Sequence, residues 1–145
     1  MIQRIQTIFL LLAGGAFGSL FFLPFAATSS PESTGIFSDS VYDIMDNPTL
    51  LALAAAGIVF ALIAIFMFKK RPLQMRLGYF AMVIAILIPI VSLLYFSSQV
   101  ETLADQPSTD ELGMFMPAVA LVFLVLANYF IRKDDKLVKS MDRLR

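Results

Sequence analysis

The groups able to do chemistry in this chain are few, and its charged residues avoid its apolar blocks. Histidine and cysteine are absent. This removes disulfides, thiol nucleophiles, the commonest transition-metal ligands and the usual axial ligands of membrane haem. No Ser/His/Asp set, metal constellation or phosphate-cradling glycine loop occurs. The sequence therefore predicts no catalytic residues, no cofactor and no bound metal, which disfavours an enzyme. Asp39, Asp43, Asp46 and Tyr42 are grouped without the spacing of an acid pair. The basic side chains Arg4, Lys69, Lys70, Arg71, Arg132, Lys133, Lys136, Lys139, Arg143 and Arg145 suit contact with lipid phosphates or an acidic protein surface.

The elements that must position these groups are apolar. Of 145 residues, 59% are hydrophobic and 15% charged, against roughly half and a quarter in soluble domains. Residues 8–25, 50–68, 77–96 and 112–131 contain no charge. Each block, at about 1.5 Å rise per residue, is roughly as long as a bilayer's hydrocarbon core is thick. Lipid offers no partner to an open backbone, so helix is the expected state. The fold class read here is all-α: one domain over residues 1–145, a membrane four-helix bundle running up-down-up-down.

Boundary residues agree with that reading. Asn47-Pro48 places a capping side chain and then proline at the start of the second span, and Pro72 marks the start of the third after a basic turn at 69–76. Ser108 and Glu111 have capping-box spacing before the fourth. The tail 132–145 sets Leu137, Val138, Met141 and Leu144 on one helical face, which predicts an amphipathic helix on the inner membrane surface. The loop 26–46 carries Ile36, Phe37, Val41, Tyr42, Ile44 and Met45, enough apolar surface to fold back onto the bundle mouth. Its periodicity fits neither helix nor strand.

Charge sets the orientation. Arg4, the middle turn with Lys69, Lys70, Arg71 and Arg76, and the tail hold all eleven basic residues. With four spans these segments share one face. The opposite loops carry acidic residues and neither Lys nor Arg. By the positive-inside rule the basic face, with both termini, is cytoplasmic.

Within the spans, Gly14 and Gly18, and Gly57 and Ala61, form small-xxx-small faces that let helices approach closely, inside one bundle or between two copies. Pro89 removes a backbone donor and should kink the third span, with Ser92 placed to answer the carbonyl of Ala85. Gln6, Thr7, Ser19, Ser92, Tyr95 and Asn128 are the polar residues in or near the spans. They are sparse and suit hydrogen bonds between helices. Proton-coupled transport is weakened, because no span holds a charge.

The ends, MIQRIQTIFLLLA and ANYFIRKDDKLVKSMDRLR, resemble an uncharacterised bacterial family of small four-span membrane proteins, a domain of unknown function. The resemblance is specific at Gln3-Arg4-Ile5-Gln6, at residues 132–138 and at Asp142-Arg143-Leu144-Arg145. It implies a multi-pass protein of the bacterial inner membrane and brings no activity with it.

The expected role is a non-enzymatic scaffold or accessory subunit. Its partners are the lipid bilayer and a membrane or cytoplasmic protein or a second copy, and nothing points to nucleic acid. A small oligomeric transporter or channel subunit is the alternative, which a continuous polar lane through the bundle would favour. A lipid-modifying enzyme would need convergent polar groups, for which Gln3, Arg4 and Gln6 opposite Asp134 and Asp135 are the sole candidates, and ion pairing accounts for them. Arg4 before an apolar run also fits a signal peptide, but residues 23–27 lack a small-x-small cleavage site. Sequencing the amino terminus of the membrane-extracted protein should therefore read from Met1 or Ile2. A start near residue 28 would leave three spans and an external amino terminus.

Overall fold

The computed structural model describes residues 2–28, 41–100 and 108–142, with side chains for 5–27, 41–98 and 111–140. The described residues form four α-helices: α1 (Ile2–Ser19), α2 (Pro48–Phe66), α3 (Arg71–Val100) and α4 (Met116–Asp142). Three short strands, β1 (Ala26–Thr28), β2 (Val41–Tyr42) and β3 (Ser108–Asp110), cover one end. Each helix packs against its two neighbours around a ring, α1 on α2, α2 on α3, α3 on α4 and α4 on α1. All seams are antiparallel, as the pairs Gly57–Phe17, Phe60–Phe80, Gly78–Asn128 and Phe9–Phe130 show. This is the all-α, up-down-up-down bundle that the sequence predicts.

Most buried helix positions, Ala16, Ile84 and Asn128 apart, repeat at alternating spacings of four and three. They are Gln6, Leu10, Ala13, Phe17 and Leu20 on α1, and Leu50, Ala54, Gly57, Ala61 and Ala64 on α2. On α3 they are Gln74, Gly78, Ala81, Ala85, Ile88 and Ser92, and toward α4 Gly113, Pro117, Ala120, Leu124, Ala127 and Ile131. A 3.5-residue period is that of left-handed helix packing. The core is built largely of Ala and Gly, while large apolar residues face outward: Leu11, Val59, Val83 and Val122 are all half or more exposed. Such an outer band belongs against lipid. By length and composition α2, 71–98 of α3 and 112–140 can each cross a membrane, and α1 contributes a shorter apolar helix, Ile5–Ser19.

Several boundaries differ from expectation. The first helix does not run over 8–25. It ends at Ser19, and Leu20–Leu23 turn, with Leu23 N–H donating to Ser19 O at 3.0 Å. Pro24 disfavours helix at Leu23 and directs the chain into β1. The third helix begins at Arg71, because Lys70 O already accepts from Leu73 and Gln74 at 3.0 Å, so the basic turn is only Met67–Lys70. The capping box at Ser108 and Glu111 does not form. Ser108 pairs in β3, and Glu111 precedes a 3₁₀ turn, Leu112–Phe115, without a side-chain cap bond. Asn47 does cap α2, its side chain accepting from Thr49 N–H at 2.8 Å with Pro48 in the first turn. The tail is not a separate surface helix: α4 continues unbroken from the apolar span to Asp142. Nothing at Arg132 breaks the helix, and helical residues occupy 132–142 throughout.

The strands were illegible as pattern because they are two or three residues long. Antiparallel order β2-β1-β3 sets Ala26 opposite both Tyr42 and Asp110. Tyr42 and Ile44 are buried as the loop folds back, whereas Met45 is exposed; Ile36 and Phe37 lie outside the described residues. Gly113 ties the sheet to the bundle, its N–H donating to Pro24 O at 3.0 Å. A Cβ there would collide with the backbone carbonyls of Leu23 and Pro24, whereas one on Gly15 meets nothing within 4 Å. Gly113→Ala should therefore cost about 1–3 kcal/mol of stability. Gly15→Ala should be neutral or stabilising by up to about 1 kcal/mol. Thermal unfolding in detergent, followed by circular dichroism, checks both.

Candidate functional site

The buried polar side chains among the described residues are Gln6, Gln74, Ser92 and Asn128, and they fall at two opposite ends. At the acidic end, Tyr42 from β2 enters the core and donates to Ser92 O at 3.2 Å, while Ser92 Oγ donates to Tyr42 Oη at 3.3 Å. The Ser92 hydroxyl thus goes to Tyr42 and not to the carbonyl that Pro89 frees. Phe25, Tyr95 and Phe96 lie 5.6–6.3 Å from the Tyr42 ring, centroid to centroid. Burial pushes the Tyr42 phenol above its ordinary value, the Ser92 hydrogen bond pulls the other way, and Asp46 and Tyr95 raise it further. The fold therefore favours the neutral phenol. Its contribution is complete below the unfolded value near 10.0 and is lost as pH rises past the raised folded value. A cavity of about 90 Å³ beside it is walled mainly by Phe25, Leu93, Phe96 and Met114, so this end is a packed cap.

The basic end is assembled from three helices and the α2–α3 turn. Gln6 on α1 donates to Phe130 O on α4 at 3.3 Å. Gln74 and Gly78, one turn apart on α3, are both buried, and Gly78 leaves room for the amide of Asn128 on α4. Gln74 Oε1 and both polar atoms of Asn128 are buried without a hydrogen bond. Arg71 Nη2 lies 3.0 Å from Asp134 Oδ2, close enough for charge attraction but not aligned as a hydrogen bond. Lys139 binds Asp135 at 2.6 Å, and Arg132 Nη2 donates to Tyr79 Oη. Lys69 sits 5.9 Å from the Phe68 ring centroid, and Lys70, Arg76, Lys133 and Lys136 are exposed. The side chains of Arg4, Arg143 and Arg145 lie outside the described residues. Asp134 therefore meets the first residue of α3, and Gln3 and Arg4, the other candidates beside Gln6, have side chains outside the described residues.

Among the small residues, Gly14 and Ala61 oppose each other across the α1–α2 seam, a Cβ on Gly14 lying 3.6 Å from that of Ala61. Gly57 accommodates the Phe17 ring, whereas Gly18 faces open space. Pro89 lies inside α3, whose helix runs through it to Val100. Sequence reading passed over Gln74 by assigning 69–76 to a turn, and over Gly78 and Tyr79 as ordinary members of the apolar block 77–96. The four-three spacing of Gln74, Gly78, Ala81 and Ala85 was the signal that could have found them.

Fold and surface together define a helical membrane protein with chemically different ends. Residues 2–144 match the domain of unknown function DUF4293, and the chain belongs to that family. No curated protein and no solved structure matches it.

The Arg71–Asp134 pair is mostly shielded, with side chains 21% and 14% exposed. Asp134→Ala should therefore lower stability by about 1–3 kcal/mol, because it strands a shielded charge. Lys139→Ala, which breaks an exposed helical pair, should cost no more than about 0.5 kcal/mol. Chemical denaturation in detergent distinguishes the two.

Proposed function

We propose that this protein spans a bacterial inner membrane four times, with both ends in the cytoplasm, and acts as a non-enzymatic scaffold or accessory subunit. Its basic face, with Lys69, Lys70, Arg76, Arg132, Lys133 and Lys136, engages anionic headgroups and a partner. The observation that carries this reading is the separation of polar groups into two ends. Between Gln6, Gln74 and Asn128 at one end and Ser92 with Tyr42 at the other, the buried residues include Leu10, Ala13, Phe17, Ala54, Gly57, Ala61, Ala81, Ile84, Ala85, Ala120 and Leu124, none of them polar. An interior of this kind offers no polar lane to a solute crossing one copy of the chain. Four spans are supported by the depth of α1. Gln6 is level with Phe130, Phe17 with Gly57, and the turn after α1 with Gly113, so α1 crosses the same thickness as its longer neighbours.

The absence of cysteine allows single reporters. Met45→Cys should react with a membrane-impermeant maleimide from the outside, and Lys70→Cys and Lys139→Cys only after permeabilisation; the reverse pattern overturns the orientation. Affinity purification in mild detergent, with mass spectrometry, should recover one stoichiometric partner. A clean homo-oligomer would instead favour a small transporter or channel.

A further inference from the structure

At the basic end, a cleft of about 280 Å³ opens between α3 and α4, lined by Tyr79, Met82, Val125, Asn128, Tyr129 and Arg132. We infer that this cleft seats the phosphate headgroup of an anionic phospholipid, with Arg132 as the charge partner and Asn128 as the polar floor. The inference rests on the cytoplasmic, lipid-contacting basic face proposed above.

Asn128 is the first observation. It is 5% exposed, and neither Oδ1 nor Nδ2 has a hydrogen bond, although each unpaired amide atom in a dry site costs about 1–3 kcal/mol. Gly78 holds space for that amide on the facing helix, so the site is built by both helices. The terminal torsion of asparagine is soft, and a modest rotation turns its donor or acceptor into the cleft that it lines.

Arg132 is the second. Its guanidinium reaches from α4 to Tyr79 Oη on α3, which holds it at the mouth of the cleft. Among the described residues it pairs with no carboxylate, since Asp134 and Asp135 are engaged by Arg71 and Lys139. A guanidinium presents paired donors to phosphate oxygens. Lys133 and Lys136 border an adjoining cavity of about 200 Å³ that shares Arg132, which strengthens the positive field at the mouth.

The walls select lipid over free phosphate. Val125 is 51% exposed on the outward face of α4 and Met82 lines the opposite side; both lie about one to two turns deeper than Arg132. A headgroup held at Arg132 would therefore lead its glycerol and acyl carbons down an apolar wall into the bilayer. The cleft's volume is at the small end for ligand sites, which suits a headgroup and not a whole amphiphile. Asn128 lies roughly 6 Å, one helical turn, below Arg132.

Native mass spectrometry of the full chain in mild detergent, titrated with phosphatidylglycerol or phosphatidylcholine, tests the seat. Wild type should retain phosphatidylglycerol about tenfold better than phosphatidylcholine, and equimolar inorganic phosphate should not displace it. Arg132→Ala and Val125→Trp, each verified as monodisperse and helical, should weaken retention about tenfold or more, the loss of one charge-assisted hydrogen bond or of the space itself. Lys70→Ala removes the same charge from the same face outside the cleft and should weaken it about fivefold or less. Equal losses in Arg132→Ala and Lys70→Ala, or full retention in Val125→Trp, overturn the seat and leave the basic-face reading standing. Displacement by inorganic phosphate overturns the lipid as ligand. Equal retention of the two lipids by wild type removes the preference for an anionic headgroup from both proposals, while the cysteine-labelling pattern still decides orientation separately.

Discussion

A helix whose outer surface already rests against hydrocarbon gains nothing by exchanging lipid contact for an equally apolar neighbour. Association must then come from close backbone approach and the dense dispersion contacts that it permits. That constraint explains why Ala54, Gly57, Ala61 and Ala64 line the inner face of α2 while Val59, Leu62 and Phe66 point outward. The same division recurs on α3 and α4. In water it would be inside out.

Tight seams have a second consequence, since polar atoms drawn into them find few partners. The chain keeps such atoms at the ends of the bundle, where loops and headgroups can answer them. At the acidic end the answer is internal: Tyr42 enters from β2 and exchanges hydrogen bonds with Ser92, and a three-stranded sheet carries the loop backbone across the mouth. That sheet depends on Gly113, where the 3₁₀ turn before α4 touches the carbonyls that follow α1. At the basic end the answer is incomplete, with Gln74 and Asn128 retaining unpaired atoms beneath a ring of cations. One end is closed by the protein itself, and the other is chemically open.

The continuation of α4 past Arg132 gives the basic end its shape. A surface-lying tail would have spread its cations over the membrane plane. A continuous helix instead stacks Arg132 and Lys136 along one cavity, carries Arg132 to Tyr79 on α3, and sends Asp134 to Arg71. Similar residues thus divide between holding the bundle together and facing outward.

Much of the architecture was legible because lipid imposes its demands on composition directly. Uncharged blocks of the right length, Asn47-Pro48 at a helix start and the clustering of Lys and Arg determined the helices, their number and their antiparallel order. The end of α1 at Ser19 and the start of α3 at Arg71 were not legible because they rest on backbone bonds in the adjoining turns that hydropathy does not record, and the strand at Ser108 because it depends on β1, far away in sequence. Asn128 was visible as a polar residue in an apolar block. That its amide lies unpaired on Gly78, beside a cleft closed at the top by Arg132 and Tyr79, was decided only by the tertiary structure, because hydropathy records what a residue avoids and packing decides what it meets.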